Sequence, residues 1–226
     1  MLVKNWMAKT VITVDANASM LDAINLQKKH HIRMLPVMDK DRLVGVVTDR
    51  DLRSASASDA SALEIHELLY LISKIKIKDI MTANPVTVPL DYTMEETAEV
   101  LLEHKISGVP VIDHEGRIMG AITQTDILRA LIALTGLTVG RGIQFAVQIE
   151  DKPSTIKACT DILAHFGGHI ASILSSYEHA PQGYRRMYIR AFNIDRSRLP
   201  EIKEALSEKA VLLYIIDHRE NNREIF

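Results

Sequence analysis

The sequence predicts a mixed α/β (α+β) protein in which two copies of a β-α-β-β-α unit precede a smaller βαββαβ domain. The first observation is an internal repeat over the first 130 residues, which marks two copies of one supersecondary unit. The second is a change of periodicity after the glycine-rich stretch 138–142. Three segments of the first copy return in the second, with one residue gained around 113–116: 6–14 as 80–88, 32–37 as 106–111, and 45–51 as 120–126.

Each copy is expected to run strand, helix, strand, strand, helix. The pairs Ser19/Asp22 and Thr93/Glu96 predict helix starts, because a Ser or Thr with an acidic residue three positions later caps a helix. Short apolar, β-branched runs predict the strands. The predicted strands are 11–14, 35–38 and 43–47 in the first copy and 86–88, 109–112 and 118–122 in the second.

Between the copies, the serine- and alanine-rich stretch 54–58 predicts a loop, and 63–75 predicts an extra amphipathic helix. One copy would bury too little apolar surface to be stable by itself, so the two copies are expected to share a core. The expected domains are a first unit (1–60), an inserted helix and linker (61–78), a second unit (79–136), a linker (137–142), a third domain (143–217) and a C-terminal tail (218–226).

The third domain shows alternating strand and helix patterns in the order βαββαβ, which is ferredoxin-like. The predicted elements are strand 145–149, helix 155–166, strands 169–175 and 186–192, helix 199–207 and strand 211–216.

The composition is that of an ordinary globular chain, with 47% hydrophobic and 25% charged residues among 226. A net charge of −2 disfavours a nucleic-acid partner. The single cysteine, Cys159, excludes an internal disulfide and suits a reducing compartment. No apolar run reaches the roughly 18 residues of a membrane span, and the first residues lack a signal-peptide pattern. We therefore expect a cytoplasmic protein without a membrane partner.

The two Gly-h-h-Thr-x-x-Asp segments (h, a hydrophobic residue), 45–51 and 120–126, each lie downstream of an h-Pro-h strand. This pattern resembles tandem cystathionine-β-synthase (CBS) domains, also called a Bateman module. Residues 143–217, with the opening strand and loop 147–154, resemble an ACT domain, a small amino-acid-sensing fold. The order CBS, CBS, ACT is similar to the acetoin-utilisation proteins of the AcuB type.

The Thr-x-x-Asp segments allow two interpretations. Thr-x-x-Asp is itself a capping box, so both segments could serve only as helix starts. The same geometry also suits a nucleotide, because a helix N-terminus offers N–H groups to phosphate and a carboxylate can accept both ribose hydroxyls. The resemblance implies the second role, with an adenine nucleotide (AMP, ADP, ATP or a related adenosyl compound) as regulatory ligand.

The resemblance also implies two clefts, each combining the Thr-x-x-Asp of one copy with the strand start of the other. In the first cleft, Arg50 supplies a cation for phosphate and Gly108 leaves room for a base. In the second, Met34 is expected to fill the base pocket, and Thr125 supplies no charge. The first cleft would therefore bind more tightly. The predicted residues are Thr48, Arg50, Asp51, Ile106, Ser107 and Gly108 in the first cleft, and Thr123, Asp126, Ile32, Arg33 and Met34 in the second.

The candidate site of the ACT-like domain is the loop 151–154. ACT proteins that bind amino acids often have a glycine after the proline of this loop, where the present chain has Ser154. We therefore expect a dimerising domain without a bound amino acid, and Ser154 to act as a helix N-cap.

We find no catalytic constellation and no cluster with metal-ligand spacing in the sequence. The sequence thus predicts a ligand-sensing regulator and not an enzyme, which acts as a homodimer on an unidentified protein. The resemblance implies a role in acetoin or related carbon metabolism. Three alternatives remain: an enzyme acting on an adenosine compound, a structural adaptor without ligand, and a nucleic-acid-binding regulator, which the charge balance disfavours.

Overall fold

The computed structural model describes residues 1–57 and 65–226. The chain divides into two compact units, Met1–Leu128 and Arg129–Phe226. The first unit contains the two copies of the repeat, and the second contains the βαββαβ domain.

The first copy has the predicted order of elements. Ser19 begins the first helix with a capping box: the Asp22 amide donates to the Ser19 hydroxyl (3.2 Å), and the Ser19 amide donates to the Asp22 carboxylate (3.0 Å). The Ser19 hydroxyl also donates to the Asp22 carboxylate at 2.6 Å, and this bond, followed by the one from the Ser19 amide, lowers the pKa of Asp22. The elements are β1 (Val14–Asp15), α1 (Met20–His30), β2 (Met34–Asp39), β3 (Arg42–Thr48) and α2 (Asp49–Ala57).

The segment between the copies is more helical than expected. The prediction of a loop at 54–58 is wrong for 54–57, because α2 continues to Ala57. Leu52 is buried and Ala55 packs against the same apolar core, which holds the helix in place. The predicted extra helix is present as α3 (Ile65–Lys74), while residues 58–64 lie outside the described part of the chain. A short helix, α4 (Ile77–Ile80), and strand β4 (Thr82–Ala83) follow.

The second copy repeats the pattern. Thr93 and Glu96 form a second capping box, with the Thr93 amide donating to the Glu96 carboxylate at 2.7 Å and the Glu96 amide donating to the Thr93 hydroxyl at 3.1 Å. Both predicted capping boxes are therefore confirmed. The elements are β5 (Val88–Pro89), α5 (Met94–Glu103), β6 (Gly108–Ile112), β7 (Ile118–Thr123) and α6 (Gln124–Leu134).

The leading segment of each copy lies on the sheet of the other copy. Strand β4, which precedes the second copy, pairs with β3 in the sheet β1-β2-β3-β4. At the equivalent place, Ala8 forms a two-way backbone bridge with Ala121 of β7, beside the sheet β5-β6-β7. Within the first unit the two copies are thus joined by an exchange of strands.

Two glycines make this exchange possible. A Cβ atom on Gly45 would lie 2.9 Å from the carbonyl oxygen of Thr82, and a Cβ atom on Gly120 would lie 2.9 Å from that of Ala8. The added Cβ atom would also collide with the sulfur of Met81 at Gly45 and with the sulfur of Met7 at Gly120. A side chain at either position would push the exchanged segment away from the sheet.

The apolar core of the first copy also contains residues from the segment that follows it. Ile72 of α3 and Ile77 of α4 are buried in the same cluster as Leu35, Val37 and other apolar residues of the first copy. In the reverse direction, Val3 is fully buried, and its amide donates to the Tyr92 carbonyl of the second copy at 2.8 Å.

The second unit has the βαββαβ order, extended by one strand. The sheet order is β12-β11-β8-β10-β9, with antiparallel neighbours throughout. The prediction of a tail at 218–226 is wrong for 222–225, because these residues form a strand that pairs with β11. The strand is held by backbone hydrogen bonds, which leave no pattern in the side-chain sequence. The elements are β8 (Ile143–Glu150), α7 (Thr155–His165), β9 (His169–Ser176), β10 (Tyr184–Phe192), α8 (Leu199–Ser207), β11 (Val211–Asp217) and β12 (Asn222–Ile225).

One face of this sheet forms the core with α7 and α8, and Cys159 is fully buried in it, as is typical of a structural cysteine. At the end of β11, Asp217 is 4% exposed and accepts two hydrogen bonds from Arg196, at 2.6 and 3.0 Å. Burial by itself would raise the pKa of Asp217, but the hydrogen bonds from Arg196 and two backbone amides lower it overall.

Across the described ranges, no helix combines the length and the apolar character needed to cross a bilayer.

Candidate functional site

The first Thr-x-x-Asp segment joins the end of β3 to the start of α2. The Thr48 amide and hydroxyl both donate to Oδ2 of Asp51, at 2.8 and 2.7 Å, and the Asp51 amide donates to the Thr48 hydroxyl at 3.4 Å. No described residue donates to Oδ1 of Asp51. The Thr48–Asp51 pair thus caps the start of α2, and the bonds from Thr48 reach only Oδ2 of the carboxylate.

The second segment has the same geometry between β7 and α6. The Thr123 amide and hydroxyl donate to Oδ2 of Asp126, at 3.0 and 2.7 Å. The Gln124 side-chain amide donates to the Ile106 carbonyl at 3.2 Å and holds the chain just before β6. Both copies thus present a hydroxyl and a carboxylate at the start of a helix.

Each segment lies beside the strand start of its own copy. Met34 is directly opposite Thr48 in the β2–β3 register, and the Asp49 amide donates to the Arg33 carbonyl at 3.0 Å. Ile32, half-buried, packs against the core just before them.

In the second copy, Gly108 is directly opposite Thr123, and the Gln124 amide donates to the carbonyl of Ser107 at 2.9 Å. The described contacts do not join Thr48 to Gly108 or Thr123 to Met34, so the combination of one copy with the other in each cleft stays a prediction.

The two segments differ in charge. Arg50 is exposed, and none of the described residues forms an ion pair or hydrogen bond with it. The equivalent residue of the second copy is Thr125, which is also exposed but uncharged. Arg53, one turn further along α2, is bound to Asp49 at 2.7 Å. The first segment therefore presents a guanidinium that no residue of 1–57 or 65–226 pairs with, and the second has no charge at the equivalent position.

The close packing of β6 and β7 gives Gly108 a structural reason to be a glycine. A Cβ atom there would lie 3.1 Å from both the Ile122 carbonyl oxygen and a Thr123 methyl carbon, which is tighter than an ordinary contact. The close approach of β7 already disfavours a side chain at this position, independently of any ligand.

The loop 151–154 of the second unit lines an open cavity of about 610 Å³, together with Ile156, Lys157, Thr160 and Arg185. Ser154 occupies the N-cap position of α7, as predicted, but its side chain forms no capping hydrogen bond. Its backbone is left-handed, with a φ of 68°, and its hydroxyl donates to the Pro153 carbonyl at 2.5 Å. The conformation is the one that favours glycine, although the residue is serine.

The sequence interpretation missed two features. The first is a cavity of about 560 Å³ lined by Lys40 and Asp41, between β2 and β3, and by Arg117, directly before β7. Charged residues in turns give no sequence signal that they line the same cavity. The second is a buried arginine. Arg190, in the β10 strand, is 4% exposed. The same strand contains Arg185 and Arg186, so a third arginine gives no sequence signal that it is buried. No group of three metal-ligating side chains occurs in the ranges that the structure describes.

Comparison with known proteins identifies the first unit. The family model described as "CBS domain" matches residues 3–58 and 77–133, which together make up half of the chain. A CBS domain-containing protein of Dictyostelium discoideum is 34% identical over 132 residues, a match that covers 58% of this chain and 91% of that protein.

Other relatives share only part of their length. L-aspartate semialdehyde sulfurtransferase of Methanocaldococcus jannaschii is 33% identical over 129 residues, which cover 57% of this chain but 23% of the enzyme. Inosine-5'-monophosphate dehydrogenase of Bifidobacterium longum is 34% identical, and the match covers 52% of this chain and 20% of the enzyme. These matches lie in the CBS portion.

Solved structures of CBS-domain proteins also resemble this chain. The CBS domain pair of protein MJ0100, crystallised in complex with 5'-methylthioadenosine and S-adenosyl-L-methionine, is 33% identical with a TM-score of 0.51, and the match covers 59% of this chain and 97% of that one. A CBS-domain containing protein of Agrobacterium tumefaciens is 25% identical with a TM-score of 0.51, covering 58% and 100% of the two chains. The repeat, the paired Thr-x-x-Asp helix starts and these matches show that the chain belongs to the CBS-domain family, with a tandem CBS pair in its first unit.

Proposed function

We propose that this protein is a ligand-sensing regulator whose CBS pair binds an adenine nucleotide or a related adenosyl compound. The observation that carries the proposal is the repeated Thr–Asp pair at a helix start, in a CBS pair similar to one crystallised with two adenosyl ligands. Oδ1 of Asp51 can accept the ribose hydroxyls, while the Arg50 guanidinium at the start of α2 suits a phosphate.

The first cleft, at Thr48 and Asp51, is proposed as the tighter site for a phosphorylated ligand. Arg50 has no described ion partner, so its guanidinium is available to a phosphate. The second cleft, at Thr123 and Asp126, has no cation at the equivalent place, so it would favour an adenosyl compound without phosphate. The proposed pairing places Gly108 beside the base in the first cleft and Met34 in the second.

For the second unit we propose an ACT-like domain that dimerises and provides a second input. Its βαββαβ order and its sheet order support this assignment. The order of two CBS domains followed by this domain supports a regulated partner in acetoin or related carbon metabolism, as in the AcuB-type proteins.

The edge strand β9 supports a homodimer. Strand β12 covers one edge of the sheet, whereas β9 is the other edge, and its eight residues include no Asp, Glu, Lys, Arg or proline. Ile170 and Ile173 are 36% and 40% exposed on this strand. Native proteins usually protect a free edge with charges or proline, so a second copy is the proposed cover. Ile173→Lys should convert the dimer to a monomer in light scattering, whereas Val211→Lys on β11, also exposed, should not.

The ligand is tested by measuring thermal unfolding with AMP, ADP, ATP, NAD or S-adenosylmethionine on the full chain and on Asp51→Ala and Asp126→Ala. A ligand at 100 times its dissociation constant should stabilise the fold by about 2.7 kcal/mol and raise the midpoint. Loss of the AMP shift in Asp51→Ala, with its retention in Asp126→Ala, would support the first cleft.

Two other outcomes point to other functions. If no compound raises the midpoint, both Thr-x-x-Asp segments are helix caps only, and the protein is an adaptor. If a compound is consumed, and Asp51→Ala stops its turnover, the protein is an enzyme.

A further inference from the structure

A second cavity of the βαββαβ unit lies at the end of β8 that is opposite to the loop 151–154. Its volume is about 410 Å³, which falls in the range of about 300–1,000 Å³ typical of small-molecule sites. It is separated from that loop by the length of β8, about 23 Å. The lining comes from 141–143, 191–196 and Arg219, all within the compact unit Arg129–Phe226. Because the lining contains Arg141, Arg196 and Arg219, we call it the arginine cavity.

Asp217 fixes one of these arginines in place. Its buried carboxylate accepts hydrogen bonds from Nε and Nη2 of Arg196, at 2.6 and 3.0 Å. The Nη1 atom of Arg196 forms no hydrogen bond with any residue of 1–57 or 65–226, and the side chain is 32% exposed. A guanidinium that is already held in one orientation loses less conformational freedom when it binds a ligand. Asp217 therefore leaves Arg196 ready to donate from Nη1.

The same carboxylate also holds the turn that carries Arg219. Oδ1 of Asp217 accepts a hydrogen bond from the Arg219 amide at 2.9 Å. In the same turn, the His218 amide donates to the carbonyl of Gly142 at 3.2 Å, and Gly142 directly follows Arg141. These bonds bring the three arginine-bearing segments together at one end of the sheet.

The arginine cavity keeps an excess of positive charge. Arg141 is exposed, and no carboxylate in the described ranges pairs with it. The Glu220 carboxylate lies 3.7 Å from Nε of Arg219 and 3.9 Å from Nε of Arg196, and it is 58% exposed, where ion pairs are weak. Oδ1 of Asp195, which also lines the cavity, accepts two hydrogen bonds within its own turn. The guanidinium groups are thus available to an anion, although the net charge of the chain is −2.

His218, in the turn after β11, lies in the same positive surroundings. Burial lowers the pKa of its imidazole, and Arg190, Arg223 and Arg141 lower it further, whereas Asp217 raises it. Three cations therefore act on this group against one carboxylate. The charge at this end of the sheet favours an anionic ligand.

We propose that the arginine cavity binds a small organic anion, with a phosphate monoester or carboxylate group among the three arginines and a compact apolar body against Phe192. The planar guanidinium suits both kinds of oxyanion, because its parallel N–H groups match their oxygen atoms. Phe192 and Ile143 supply apolar surface in the lining. This site goes beyond the adenosyl ligand proposed for the first unit and does not depend on it.

The test is isothermal titration calorimetry on the full chain at constant ionic strength, with phenyl phosphate and benzoate as probes. We expect saturable binding of at least one probe, and the tighter of the two identifies the anionic group. Arg141→Gln and Arg219→Gln should each weaken it about tenfold or more, because each removes a charge-assisted hydrogen bond. Both side chains are exposed, so neither variant should unfold the unit.

Two control variants distinguish this cavity from other arginines of the chain. Arg198→Gln removes the same charge from the same unit, but Arg198 does not line the cavity, so the affinity should be unchanged. Arg50→Gln removes the cation at the first Thr-x-x-Asp segment and should also leave the affinity unchanged. Probe binding that is lost in Arg50→Gln alone would overturn the inference and support the first cleft as the anion site.

The inference is also overturned if neither probe gives saturable binding, or if Arg141→Gln and Arg219→Gln bind as tightly as the wild-type protein. The adenosyl proposal then still stands, since it is tested separately by AMP on Asp51→Ala. Conversely, if no adenosyl compound binds but phenyl phosphate binds in a way that requires Arg141 and Arg219, the proposed function fails and the arginine cavity is supported.

Discussion

The two CBS copies hold the same capping geometry but surround it with different groups. Thr48 and Thr123 each bind the carboxylate three residues on, with hydroxyl-to-carboxylate distances of 2.7 Å in both copies. The residue two positions after the threonine is Arg50 in one copy and Thr125 in the other. The comparison teaches that the cap depends only on a Thr and an Asp three residues apart, so it is the same in both copies, whereas the charge beside it differs.

The largest expected effect distinguishes the two carboxylates. Asp51→Ala should weaken AMP binding about 100-fold, because it removes charge-assisted hydrogen bonds worth about 1.5–3 kcal/mol, whereas Asp126→Ala should weaken it less than about tenfold. Isothermal titration calorimetry measures both. Asp49→Ala, at the same helix start, is the control and should keep wild-type affinity. Equal losses in the two aspartate variants would erase the functional difference between the copies.

The exchanged segments should be equally important in both copies. Gly45→Ala and Gly120→Ala each place a Cβ atom 2.9 Å from a backbone oxygen of the crossing segment. Each should lower the free energy of unfolding by about 1–3 kcal/mol, as overpacking does, in urea denaturation. At Gly116 a Cβ would meet nothing within 4 Å, so Gly116→Ala should cost only about 1 kcal/mol, from its left-handed backbone. A stable Gly120→Ala protein would mean that the Met7–Ala8 crossing contributes little.

Gly108 and Met34 are the residues proposed to make the two base pockets different. Gly108→Met should weaken the tighter AMP site about tenfold, or about 1.4 kcal/mol, by filling the space proposed for the base. Met34→Ala should strengthen the weaker site by opening it. Two-site calorimetry resolves both effects, and Met38→Ala, further along the same strand, controls for loss of a methionine. If Gly108→Met binds AMP normally, this glycine serves only the close approach of β7.

The smallest expected effect concerns the helix caps that the copies share. Ser19→Ala and Thr93→Ala each remove the hydroxyl that accepts the hydrogen bond from the N3 amide. Each should cost about 1 kcal/mol of stability, and the two losses should agree within about 0.5 kcal/mol because the geometry is the same. Thermal unfolding without ligand measures them, and Ser73→Ala on α3 provides a control. A much larger loss at one cap would show that the copies do not contribute equally to the shared unit.

Sequence reasoning succeeded where the signal was local. The capping boxes at Ser19 and Thr93, the Thr-x-x-Asp helix starts and the βαββαβ order all depend on residues a few positions apart, and all are present in the structure. It failed at 54–57, where small polar residues suggested a loop. The buried Leu52 and the packing of Ala55 supply tertiary contacts that override weak local propensity there.

By itself, the sequence determined the repeat, the family and the Thr-x-x-Asp pair at the start of two helices, because spacing and residue type decide which groups a strand end and a helix start present. Only the tertiary structure decided that the first segment of each copy pairs with the sheet of the other copy. The same is true of the left-handed backbone of Ser154 and of the hydrogen bond from the buried Arg190 to the Thr135 carbonyl. These features arise between residues far apart in the chain. Their stability comes from burial and from the pairing of backbone groups, for which a linear sequence contains no periodic signal.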